Sequence, residues 1–270
     1  MHALRRTGWK VALVLIGALV VTALGIDAAD TLRGESGTLL SQVIRTQHTA
    51  VCPEGMRQVD TILTLTCIDQ YEASPSSECT HQEPKSVLQS EQNVGTNGCH
   101  AESKDGTTPW TYISLTQAQR ACAQAGKRLP TADEWYRLAL GTKSEACVIN
   151  AKSVQETGTE ACISAAGAYD TIGNVWEWVD AQVTNNTYND RTLPETGHVS
   201  SVDADGVAIT TAGDPDVLYE GDYFWSKPEG VSGMIRGGFY GSEADAGLYA
   251  LNASVAMQFA AQGVGFRCVK

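Results

Sequence analysis

The sequence contains no Cys-x-x-Cys, no His-x-x-x-His, no Gly-x-Ser-x-Gly and no glycine-rich phosphate loop. The first absence excludes a zinc knuckle or a thioredoxin-like redox pair. The second excludes a helix-borne pair of histidine metal ligands, and the others exclude a serine-hydrolase elbow and a nucleotide cradle. Basic residues are scarce: 19 Lys and Arg stand against 31 Asp and Glu, a net charge of −12. Arg5, Arg6 and Lys10 supply three positive charges, leaving −15 for residues 11–270. A surface so acidic repels phosphate backbones, so nucleic acid is excluded as a partner. Aromatic residues make up only 7% of the chain, whereas glycine occurs 26 times. This balance suits a loop-rich α+β domain with short strands, not a helical bundle.

One uncharged apolar run is present, residues 11–26. Basic residues precede it, and Asp27, Asp30 and Glu35 follow it. Its length falls between a signal-peptide core of ~7–15 residues and a spanning helix of ~18 or more. It reads as an uncleaved signal anchor, with flank 1–10 in the cytoplasm and the remainder exported at the cell membrane. Cleavage would make the protein secreted. Residues 27–50 read as a partly helical stalk, and residues 51–270 as the exported domain.

Within that domain, residues 56–72 alternate apolar and polar positions and predict strands. Residues 73–110 are rich in Ser, Glu, Gln, Asn and Gly and predict a long loop. Ser114 and Gln117 form a capping box that opens a helix ending at Gly126. Thr131 and Glu134 open a second, closed by Gly141. Residues 182–232 predict surface loops. The five histidines, His2, His48, His81, His100 and His198, read as exposed loop residues without a metal-binding partner.

Four blocks follow in order: Gly126-Lys127-Arg128-Leu129-Pro130-Thr131-Ala132-Asp133-Glu134-Trp135; Gly173-Asn174-Val175-Trp176-Glu177-Trp178; Arg236-Gly237-Gly238-Phe239; and Gly265-Phe266-Arg267-Cys268. With Ala246-Gly247-Leu248-Tyr249-Ala250-Leu251-Asn252 between the last two, they resemble the formylglycine-generating enzyme (sulfatase-modifying factor) family over residues 55–270. The resemblance implies a C-type-lectin-like fold. The C-terminal pattern is similar to that of the variable proteins of diversity-generating retroelements, whose residues between the fixed blocks are diversified to bind different ligands.

The eight cysteines, an even number in an exported chain, read as disulfides, with 105 pairings open to sequence alone. The resemblance implies Cys122–Cys268, a tie from the first family helix to the terminal block. Neighbouring cysteines then suggest Cys52–Cys67, Cys79–Cys99 and Cys147–Cys162. The resemblance also implies a structural calcium held by Asp170, Gly173, Val175 and Glu177, hard oxygen donors around a turn. The alternative for Glu177 is a buried arginine partner. The positions where the enzyme family carries its copper-binding cysteines hold Ser242 and Gly247. Soft thiolates select copper(I), so copper and formylglycine synthesis are not expected.

The expected function is ligand binding, to a protein or glycan at the cell surface. The expected face is Tyr240, Gly241, Ser242, Asp245, Ser254, Val255, Phe259, Ala261, Gln262 and Gly263. Two other readings remain: an enzyme of unrecognised chemistry using Tyr240, Glu243 and Asp245, and a structural surface protein whose tail is packed core. Exposure of Tyr240, Ser254 and Phe259 separates binding from structure.

Overall fold

A computed structural model describes residues 52–60 and 65–270. The expected anchor and stalk lie outside these residues. Among the described residues no helix is long and apolar enough to cross a membrane.

Both capping boxes form as the sequence predicts. Helix α2 (Leu115–Gln124) starts at Ser114, whose Oγ accepts from the Gln117 amide while the Gln117 side chain accepts from the Ser114 amide. Helix α3 (Ala132–Ala139) starts at Thr131 with the same reciprocal pair to Glu134. These contacts satisfy amides that a helix N-terminus otherwise leaves open, worth about 1 kcal/mol per cap. Each helix turns one face inward: Ala118, Ala121 and Cys122 on α2, and Trp135, Leu138 and Ala139 on α3.

The segment 73–110 is more ordered than its composition predicts. It forms strand β3 (Ala73–Pro75), helix α1 (Val87–Gly95) and strand β4 (Ala101–Ser103). Helix α1 escapes sequence patterning because its buried face is Ser90, Asn93 and Val94. These polar groups are satisfied internally. Trp110 Nε1 donates to Ser90 Oγ at 3.1 Å, and Asn93 Nδ2 donates to the His81 carbonyl at 2.7 Å.

Strands β1 (Met56–Asp60) and β2 (Leu65–Asp69) form an antiparallel hairpin, and β3 pairs with β4. The remaining strands form one nine-stranded sheet. Its centre is β5 (Trp176–Thr184), which pairs antiparallel with β11 (Val231–Arg236) and parallel with β13 (Val264–Phe266). Beyond β11 lies β12 (Leu251–Val255), then β10 (Tyr223–Trp225), β8 (Gly197–Val202) and β9 (Ala208–Ala212). The short β6 (Thr187–Tyr188) and β7 (Arg191–Thr192) lie beyond β5. The segment expected to be surface loops, 182–232, thus supplies five strands and part of two others. Short buried stretches anchor it: Val199 between serine and histidine, Val207 with Ala208, and Phe224 between Tyr223 and Trp225. So sparse a pattern gives little period to read.

Strand β5 feeds two cores by simple alternation. Trp176 and Trp178 face one, with Trp110, Ile113, Leu115, Cys122 and Phe266. Val179, Ala181 and Val183 face the other, with Trp135, Ile172, Phe224 and Met234. Fully burying one such large apolar side chain contributes about 1.5–3 kcal/mol. Among the described residues the α+β class is as expected, mostly β with three α-helices.

All eight cysteines are paired, as Cys52–Cys67, Cys79–Cys99, Cys122–Cys268 and Cys147–Cys162. Four disulfides belong to an oxidising, exported environment. The last residues pack onto β2: the Asp69 amide donates to the Cys268 carbonyl at 2.9 Å, and Val269 bridges both Ile68 and Arg128.

Candidate functional site

The last forty residues leave the sheet, cross a surface and return. At Gly237 and Gly238 the backbone takes φ +88° and +87°, a region closed to most residues, and a side chain at Gly237 would meet the Thr171 carbonyl. This turn lifts Phe239 and Tyr240 to the rim. There the Tyr240 amide donates to the Asn174 carbonyl at 3.0 Å, and the Tyr240 carbonyl accepts from Ala151 at 2.7 Å. On β12, Leu251, Ala253 and Val255 are buried while Asn252 and Ser254 are half-exposed. The following loop is tied to the approach of α2. The Leu115 amide donates to Met257 at 3.1 Å, and the Tyr112 amide donates to Ala261 at 2.9 Å. The loop ends where the Gly263 carbonyl accepts from Trp176 at 2.8 Å, and β13 begins.

These elements enclose a cleft of about 570 Å³. Seven of the ten expected binding residues line it: Tyr240, Ser254, Val255, Phe259, Ala261, Gln262 and Gly263. Phe259 is 45% exposed, Tyr240 and Ser254 are half-exposed, and Val255 and Gly263 are buried in the floor. Gly241, Ser242 and Asp245 are not among the lining residues. Ser242 Oγ accepts from the Phe239 amide at 3.0 Å and holds the turn, while Asp245 ends an exposed 3₁₀ turn, Glu243–Asp245. The sequence reading missed Trp176, Ile235, Asn252, Ala256 and Val264 and left Phe239 open; all six line the cleft. Strand alternation would have found Asn252 from Ser254. Trp176 hides in a block that reads as core. Every lining residue is uncharged, in a chain of net charge −12.

The frame beneath is strongly charged. Arg267 is fully buried and grips Glu177 with two hydrogen bonds, Nε to Oε2 at 2.6 Å and Nη2 to Oε1 at 2.5 Å. Its other N–H groups reach the carbonyls of Asp69, Gln70 and Tyr169. Burial works against the guanidinium charge, but the Glu177 carboxylate outweighs it and raises the pKa of Arg267. Trp135 Nε1 donates to Glu177 Oε2 at 2.7 Å. Glu72, also buried, accepts from Asn174 Nδ2 at 2.6 Å and from the Val175 amide. Burial, then the nearby carboxylates of Asp170 and Glu177, push it well above the usual carboxylate range. Arg236 is equally buried but has no such partner. It donates to the carbonyls of Ala132, Asp205 and Gly206 and lies over the rings of Trp135 and Tyr136, at 5.0 and 5.6 Å. Burial lowers it to about 10.

The expected calcium ligands lie inside this frame. Both Glu177 oxygens are engaged by Arg267 and Trp135, and Asp170 accepts from the amides of Gly158 and Thr159. A dication at Glu177 would have to displace the Arg267 guanidinium. The copper positions are equally occupied by structure. A side chain at Gly247 would collide with the Asp222 carboxylate. That carboxylate is buried, accepts from the Tyr249 amide at 2.6 Å, and is pushed by burial to about 7.

No curated protein sequence matches the chain. Among solved structures, the Major Tropism Determinant P3c Variant is 18% identical, with a TM-score of 0.46, over 82% of this chain and 53% of its own. The chain therefore spans about half the length of that relative. Treponema denticola variable protein 1 is 12% identical, with a TM-score of 0.40, over 80% of this chain and 99% of its own. PvdO from Pseudomonas aeruginosa is 14% identical, with a TM-score of 0.39, over 77% and 81%. A family model matches over the cleft and the terminal block: residues 148–270 are similar to the Sulfatase-modifying factor enzyme 1-like domain.

Proposed function

We propose that this protein is an exported ligand-binding protein, anchored through residues 11–26, that displays the cleft between Tyr240 and Gly263 to a protein or glycan at the cell surface. It binds without catalysis. The observation that carries this reading is the cleft itself: about 570 Å³, lined by aromatic and uncharged residues. Ligand sites are typically concave and mostly apolar, with a few placed polar groups. Tyr240, Phe259 and Trp176 supply rigid contact area, and Asn252, Ser254 and Gln262 supply adaptable hydrogen bonds, the division of labour seen in antibody loops. The four disulfides support export.

Two features support binding over copper oxidation. Every cysteine is disulfide-bonded, and Gly247 has no room for a thiol. Purified protein incubated with copper and reductant is therefore expected to leave a cysteine-containing sulfatase peptide unmodified by mass spectrometry. Turnover would restore the enzyme reading.

Binding is tested on arrays of cell-surface proteins and glycans with the parent and the Tyr240→Ala/Phe259→Ala double variant. Partners captured by the parent are expected to lose at least tenfold in affinity on the variant, because aromatic anchors dominate hot spots at about 2 kcal/mol or more each. Equal capture by a correctly folded variant would overturn the site.

A further inference from the structure

Three metal-ligating side chains meet beside the Cys79–Cys99 disulfide, outside the cleft and outside the family-matched residues. Glu78, His100 and Glu102 each bring one ligand atom to a common point, all within 4.8 Å of one another. Covalent structure brings them there. Glu78 adjoins Cys79, His100 adjoins Cys99, and the disulfide joins the two. Glu102 follows His100 by two residues in extended chain, the spacing that puts both on one side. Register Ser74↔Glu102 fixes the strand, and His100 exchanges backbone contacts with Ser76: its carbonyl accepts from the Ser76 amide at 3.0 Å and its amide donates to Ser76 Oγ at 3.2 Å.

The imidazole is already oriented. His100 Nδ1 lies 2.8 Å from the Gly98 carbonyl oxygen. A carbonyl only accepts, so Nδ1 carries the hydrogen and the lone pair of the neutral ring is on Nε2. Nε2 faces Glu102 Oε1 at 3.6 Å. Metal-bound histidines are held this way, one nitrogen donating to a carbonyl and the other on the ion. Ser77 Oγ donates to Glu78 Oε1 at 3.1 Å and orients the third ligand.

One imidazole nitrogen with two carboxylate oxygens matches a divalent first-row transition ion. Calcium and magnesium take oxygen donors. Three protein ligands with solvent completing the shell is an arrangement zinc accepts. We propose that Glu78, His100 and Glu102 bind a divalent transition metal of the zinc class, a reversible clasp across the base of loop 79–99. The side chains of His100 and Glu102 are 34% and 40% exposed, so an ion enters from solvent without unfolding. No thiol competes for it.

The test is calorimetric titration of the tag-free, chelator-stripped full chain with zinc chloride. One equivalent is expected to bind and to raise the melting temperature, while calcium chloride gives no signal at this site. His100→Ala is expected to weaken zinc binding at least tenfold and Glu102→Gln severalfold, with His81→Ala unchanged. Glu78→Gln, a change at an exposed side chain, repeats the test should His100→Ala fold poorly. Zinc binding of the same strength in the parent, His100→Ala and Glu78→Gln, or none in the parent, would overturn the proposal and leave the trio as a histidine–carboxylate ion-pair cluster.

Discussion

The ends of the C-terminal segment and its middle are built from opposite materials. At the ends, Arg236 and Arg267 are fully buried and hold charge inside the protein. In the middle, the cleft between Tyr240 and Gly263 is half-open and carries no charge. The two arginines also differ from each other. Arg267 is matched by a carboxylate; Arg236 has only carbonyls and ring faces, and its Nε has no hydrogen-bond partner. A buried charge tolerates little change around it. A neutral, half-exposed surface tolerates much more. The segment therefore joins a frame that resists substitution to a face that accepts it.

The largest effect should come from cutting the frame at the chain end. Cys122→Ser with Cys268→Ser opens a closure of 146 residues and is expected to cost about 5 kcal/mol in the chain-entropy account. Urea unfolding checks it, and a loss no larger than that of a surface substitution would erase the contrast between frame and cleft. Next is Glu177→Gln, which leaves the Arg267 guanidinium buried beside a neutral amide. Loss of one partner of a buried pair costs about 3–5 kcal/mol, readable in the same experiment.

Asp222 sharpens the comparison through pH. Burial raises its pKa from 3.8 to about 7, so the folded state holds this proton more tightly than the unfolded chain. The stability it contributes is complete below pH 3.8 and is lost as pH rises through about 7. The penalty reaches at most about 4 kcal/mol, at 1.4 kcal/mol per tenfold change in proton affinity. Asp222→Asn should lack this component. Between pH 4 and 8 its melting temperature should fall less than the parent's. Parallel curves would show that the Asp222 side chain is not the titrating group.

The cleft should respond least in stability. Tyr240→Ala/Phe259→Ala is expected to lower stability by only about 1 kcal/mol, since surface changes cost little, even though binding is lost. Thermal melts settle it: a collapse comparable to Glu177→Gln would make these aromatics part of the frame. Smallest of all is the response to calcium. Chelation should leave the melting temperature of the parent unchanged, because Arg267 already occupies Glu177. A fall on chelation would show that an ion displaces the guanidinium.

Much of the frame was legible in the residues. Ser114, Gln117, Thr131 and Glu134 announce two helices because caps satisfy local amides, a matter of three or four neighbouring residues. The family resemblance implies the disulfide between Cys122 and Cys268, which forms, and sets the bounds of the C-terminal segment that lines the cleft. Half the cleft lining was readable from its aperiodic mixture of aromatic and small residues. Helix α1 and strands β6 to β10 were not, since their buried faces are polar or only one residue deep.

The sequence by itself therefore determined what depends on neighbours along the chain: class and helix caps, with the Cys122–Cys268 tie added by resemblance to a family pattern. Tertiary structure alone decided what depends on residues remote in sequence. It gave Glu177 a guanidinium from ninety residues away. It turned Trp176 and Asn252 from core and frame into cleft. It also drew Glu78 to His100 and Glu102 across a disulfide. In each case a charge or hydrogen-bonding group had to be satisfied or left open in space, and chain distance carries no record of that.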